Sequence, residues 1–138
     1  MSAALTVADL QAWVDRSPYH RWLGLRALAL DAAEGVVTLS LPPRPEFARG
    51  DSASGIHGGV TAALIDTAGD YAIAVRIGGP VPTIALAVDY LRMGETALTA
   101  TARVLKAGRS IALVDIDVHD AADRLIAVGR ATYATARV

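Results

Sequence analysis

Residues 57–75 constrain this chain more than any other stretch. They read as a helix of about five turns that is apolar on nearly every face. Val60, Leu64, Thr67, Tyr71 and Val75 form one stripe at 3.6-residue spacing, and Ile65, Ala68, Ala72, Ala62, Ile73 and Ala63 cover the rest. Such a helix is expected in the middle of a fold, buried all round. The rest of the chain must supply its walls. Residues 6–16 place Val7, Leu10 and Val14 at helical spacing, with Thr6 as N-cap and Ser17-Pro18 as a stop. Residues 23–30 and 35–41 favour strands joined by a turn over 31–34. The Pro-, Gly- and Ser-rich stretch 42–55 predicts the longest irregular loop. After Gly78-Gly79-Pro80 come four β-like runs, 83–91, 98–105, 111–118 and 125–135. Their breaks at Met93-Gly94, Ala107-Gly108 and 120–123 suit antiparallel hairpins or near neighbours. The order predicts an α+β fold in which one antiparallel sheet wraps around a long central helix.

With 138 residues the chain has room for one domain over 1–138, burying roughly 70% of its extended surface. At 53% hydrophobic and 20% charged residues it is too apolar for disorder, and the excess points to surface covered by a partner subunit. No run approaches the ~20 apolar residues that span a bilayer, so no membrane is expected. The first residues mix acidic and basic side chains where a signal peptide needs an apolar core, which points to the cytoplasm. Cysteine is absent, leaving serine, carboxylate or histidine chemistry. A net charge of −1 offers no field for nucleic acid.

The only carboxylates of the apolar helix are Asp66 and Asp70, one turn apart. A buried carboxylate without a partner is unfavourable by several kcal/mol, so its presence points to a task, unless an Arg or a strand hydroxyl pairs with it. The helix opens with Gly55-Ile56-His57-Gly58-Gly59, where small residues let a ligand reach N–H groups that have no helical partner. Such groups can hold a developing oxyanion, or the glycines serve only a tight turn. Gly58 and Asp66 are eight residues apart, about 12 Å along one helix, and cannot both touch one carbonyl. If they cooperate, Asp66 faces the Gly58 of a second subunit.

The run from Gly55 to Val60, then Leu64-Ile65-Asp66-Thr67-Ala68, then Thr83 and Val88-Asp89-Tyr90-Leu91-Arg92, resembles the hotdog-fold thioesterases of the phenylacetic-acid-degradation (PaaI) type. The similarity runs from Tyr19-His20-Arg21-Trp22 to Arg130-Ala131-Thr132-Tyr133. The resemblance implies hydrolysis of an acyl-CoA, with a small aryl or medium-chain acyl group, at the interface of a homodimer or homotetramer. It implies no metal or organic cofactor. By matching position, Asp66 activates water or attacks the thioester, the Gly58 N–H polarises its carbonyl, and Thr83 holds the water. His57 shapes the loop beside the thioester, with Gly59 next to it. Asp51 stands where such enzymes carry Asn or Gln, and an ionised Asp cannot donate. Either the loop shifts, Asp51 is protonated, or Ser52 or Ser54 takes over. Asp70 lies near the water site, and Lys106 and Arg109, flanking Gly108, are placed to meet CoA phosphates. A hydro-lyase pairing His57 with Asp70, and a non-catalytic acyl-CoA sensor, remain as alternatives. The three histidines lack metal-ligand spacing, and no G-x-S-x-G elbow is present.

Overall fold

The computed structural model describes residues 3–51 and 55–136. Helix α1 (Val7–Val14) begins with a capping box. Thr6 Oγ1 accepts from the Asp9 N–H at 3.2 Å, and Asp9 Oδ2 accepts from the Thr6 N–H at 2.8 Å. Ser17-Pro18 ends α1 as predicted, but also starts a helix the sequence reading lacks, α2 (Pro18–Leu23). Ser17 caps it, and proline is well suited to the first helical position because its φ is preset and its missing N–H would have no partner. Gly24, at a φ of 73°, closes α2, so the first strand begins at Arg26 rather than at Leu23. The long loop holds a 3-10 turn, Pro45–Phe47, whose Phe47 ring is fully buried.

Six strands, β1 (Arg26–Asp31), β2 (Val36–Leu41), β3 (Thr83–Tyr90), β4 (Leu98–Ala107), β5 (Ile111–His119) and β6 (Leu125–Ala134), form one sheet in the order β1-β2-β4-β5-β6-β3. Every neighbouring pair is antiparallel. Two of the three breaks after the helix are hairpins, β4–β5 and β5–β6. The Met93-Gly94 break is not, because β5 and β6 lie between β3 and β4. That connection is held by the Leu91 and Arg92 N–H groups on the Ile126 carbonyl and by the Ile56 N–H on the Gly94 carbonyl, which sets it beside the residues that lead into the central helix.

Helix α3 (Gly58–Ile77) lies in the concave face of the sheet against the buried side chains of β2, β4 and β5. Close approach to β6 depends on Gly129, where an added Cβ would lie 2.5 Å from Ile65 Cγ2. Burial on all sides holds for Leu64, Ile65, Ala68, Tyr71, Ala72, Ile73 and Ala74 but not for the whole helix. Ala62, Ala63, Asp66 and Asp70 stay half-buried, on the side where the sheet ends. The sheet ends there in β3, which is exposed along its length except at Val88 and has β6 as its one strand neighbour among the described residues. No described helix is long and apolar enough to cross a membrane.

Candidate active site

Two clusters of polar groups flank α3, one at its N-terminus and one at its middle. At the N-terminus His57 is the cap. Its Nδ1 accepts from the Gly59 N–H at 2.9 Å, so in the neutral ring the proton sits on Nε2 as a donor. The Gly59 N–H is thereby engaged. Gly58, the first helical residue, has no intrahelical acceptor for its N–H and none among the described residues. Its carbonyl accepts from the Tyr90 hydroxyl at 2.6 Å, which ties the helix start to the end of β3. A cavity of about 540 Å³ opens beside these groups, lined also by Arg49, Thr61, Arg92 and Met93.

At mid-helix, Asp66 Oδ1 accepts from the Thr83 hydroxyl at 2.7 Å and from the Tyr133 hydroxyl at 3.4 Å. Asp66 thus has the strand-hydroxyl partner that a purely structural carboxylate would have. A carboxylate offers about four acceptor sites, however, and Oδ2 has no hydrogen-bond partner among the described residues. Thr83 is exposed at the start of β3, so the pair opens onto the unpaired edge of the sheet.

One turn on, Asp70 Oδ1 accepts from the Val81 N–H at 2.8 Å, a partner that is neither an Arg nor a strand hydroxyl. Burial pushes the Asp70 carboxyl up to about 6 against the opposing effect of that N–H, and the Asp66 charge adds to the rise. Asp70 lines a second cavity, of about 500 Å³, with Trp13, Arg16, His20, Tyr71 and Pro80. Burial lowers the pKa of His20, and the Tyr71 hydroxyl lies 3.3 Å from its Nδ1. His57 is not in that cavity, so the His57–Asp70 pairing that a hydro-lyase would use is not formed within one chain.

Asp51 is exposed and is not among the described residues lining the His57 cavity, where Arg49 comes from that segment instead. Ser52 and Ser54 lie outside the described residues. Lys106 belongs to β4 and Arg109 to the turn after it, both exposed. That turn is fastened by Thr135 Oγ1 donating to the Gly108 carbonyl at 2.7 Å, at the same end of the sheet as Thr83, which pairs with Tyr133. Sequence reasoning missed Tyr90 and Tyr133 as site residues. Tyr90 stood inside a recognised motif; Tyr133 ended one, and only the packing of β6 against α3 brings it to Asp66.

Residues 54–127 match the model of the thioesterase superfamily. The chain is 30% identical to the medium/long-chain acyl-CoA thioesterase YigI of Salmonella typhimurium, over 96% of this chain and 98% of that one. An X-ray structure of a thioesterase-superfamily protein superposes with a TM-score of 0.87 at 36% identity, covering 93% of this chain and 96% of the other. The Escherichia coli PaaI protein from the phenylacetic acid degradation operon superposes with a TM-score of 0.81 at 25% identity, over 92% and 90%. A sheet wrapped around one long helix, His-Gly-Gly at the helix start and a carboxylate at its middle thus occur together with matches along nearly the whole chain: the protein belongs to the thioesterase superfamily and has its hotdog fold.

Proposed function

We propose that this protein hydrolyses acyl-CoA thioesters at the interface of two copies of itself, with Asp66 as the catalytic carboxylate. The observation that carries this is the placement of the two clusters at opposite ends of one edge strand. Thr83, bonded to Asp66, begins β3, and Tyr90, bonded to Gly58, ends it. Two β3 edges pairing antiparallel about a twofold axis between Leu86 and Ala87 set Thr83 opposite Tyr90 of the partner subunit. Asp66 of one subunit then faces the Gly58 N–H of the other, twice per dimer. The separation of about 12 Å within one chain ceases to matter.

In that arrangement the Gly58 N–H and the helix N-terminus hold the thioester carbonyl oxygen as it gains charge. Asp66 takes a proton from water as the water oxygen bonds to the carbonyl carbon, or its Oδ2 attacks that carbon directly and water resolves the anhydride. The C–S bond breaks, the acid is released, and the CoA sulfur leaves as a thiolate that takes up a proton. Thr83 fixes Oδ1 and keeps lone pairs for the water. His57 Nε2 is a donor beside the thioester. This chemistry draws on no metal or organic cofactor.

The cavity beside Asp70 has the size of a small-ligand pocket and lies one helical turn beyond Asp66, where a small aryl or medium-chain acyl group would enter. The Salmonella relative, named for medium- and long-chain acyl-CoA, supports the aliphatic choice, and PaaI the aryl one. Lys106 and Arg109 offer charge for the CoA phosphates at the Thr83 end. A CoA ester as substrate is in keeping with the cytoplasmic location expected from the sequence.

The test follows thiol release from phenylacetyl-, hydroxybenzoyl- and hexanoyl-CoA with the purified protein and with Asp66→Asn. Turnover by the native protein, falling at least about 100-fold in a variant that keeps its oligomer, is the expected result. Binding of CoA esters without hydrolysis by either protein would replace an enzyme with a sensor.

A further inference from the structure

Tyr133 is fully buried on β6, yet its hydroxyl reaches across the core to α3 and donates to the Asp66 carbonyl oxygen at 2.8 Å, with Asp66 Oδ1 at 3.4 Å. The helix makes room for it at one place. An added Cβ at Gly69 would fall on the hydroxyl oxygen, well inside van der Waals contact, and 3.0 Å from ring carbon Cζ. Glycine within a helix is unfavourable relative to alanine. Gly69 lies in the middle of α3 with a buried environment around it, and the phenol oxygen occupies the space its side chain would take. Burial, together with the Asp66 and Asp70 charges, pushes the phenol above its ordinary range, so it remains a donor.

We infer that Tyr133, seated in the notch of Gly69, is a positioning residue for the reaction. The single phenol proton goes to the Asp66 carbonyl at 2.8 Å with Oδ1 as a weak second acceptor at 3.4 Å. Tyr133 thus holds the backbone of Asp66 from the core side, Thr83 holds Oδ1 from the edge side, and Oδ2 is left without a hydrogen-bond partner among the described residues for water or the thioester carbon. The inference rests on the reading of Asp66 given above.

The test compares kcat and KM of the native protein, Asp66→Asn, Tyr133→Phe, Gly69→Ala and the Tyr133→Phe/Gly69→Ala pair on the best acyl-CoA of the panel, with oligomer and melting temperature checked for each. Loss of the hydroxyl leaves the ring in place, so Tyr133→Phe is expected to lower kcat about tenfold with KM changed less than about twofold. Gly69→Ala displaces the hydroxyl and is expected to do the same. In the double variant the Cβ meets a ring rather than an oxygen, so its kcat is expected to match that of Tyr133→Phe rather than show a second tenfold loss. Native kcat in a folded Tyr133→Phe, with Asp66→Asn inactive, overturns the positioning role and leaves Asp66 standing. If Tyr133→Phe fails to fold, Gly69→Ala decides: native kcat overturns the role, and a kcat loss at constant KM supports it. Full activity in Asp66→Asn overturns both readings.

Discussion

Asp66 and Asp70 differ by one helical turn and by almost everything else. Asp66 has the Thr83 hydroxyl on one oxygen and no partner on the other among the described residues, whereas Asp70 has one backbone N–H and lines a cavity of about 500 Å³. The Asp70 pKa, about 6, lies above the unfolded value, so the folded state favours the protonated form. Stability from this group is therefore complete below about pH 4 and declines as the pH rises through 6, the reverse of a salt-bridged carboxylate. Asp70→Asn keeps an oxygen for the Val81 N–H and removes the charge. It is expected to stabilise the protein by about 1–2 kcal/mol at pH 7.5 and by almost nothing at pH 4, measured by urea denaturation at both. Equal effects at the two pH values would show that Asp70 is not titrating between them.

At the scale of elements, the helix and the sheet meet through omitted side chains. Gly129 admits Ile65 to β6, and Gly69 admits the Tyr133 hydroxyl to α3. Gly129→Ala sets a methyl 2.5 Å from Ile65 Cγ2 and 3.5 Å from the Ala87 carbonyl, so helix or strand must move. A loss of about 1–3 kcal/mol in chemical denaturation is expected, and Ile65→Ala in the same chain should recover part of it, although Ile65→Ala alone destabilises. The same contact explains why the central helix was legible and its burial only partly so. Its apolar stripe is local, but which side stays open depends on where β3 ends the sheet. The second helix was not legible because Ser-Pro ends one helix and begins another with the same atoms.

The whole molecule ends in an unfinished edge. β3 is eight residues long, exposes Ile84 and Leu86, and leaves one row of backbone N–H and C=O groups without strand partners among the described residues. Such an edge favours pairing with another strand. Leu86→Lys puts two like charges next to the proposed twofold axis. It is expected to shift the protein toward monomer in sedimentation analysis and to abolish thiol release while Asp66, Thr83 and Tyr133 stay in place. A monomer with native activity would place the whole site within one chain.

Elements that depend on near neighbours were legible from the order of residues. Periodicity marked the central helix, glycines marked the turns, and the absence of cysteine with an acidic pair in an apolar stretch singled out Asp66 and Asp70. The order of residues also located His57 and Gly58 at a helix start, because capping is a matter of three residues. Tertiary structure alone decided that β3 lies beside β6, which carries Thr83 to Asp66 and Tyr90 to Gly58. It alone brought Tyr133 to a carboxylate 67 residues earlier in the chain. Strand order and cross-core hydrogen bonds arise between segments whose patterns are each satisfied by several partners, and the choice is made only when the complete sheet closes on the helix.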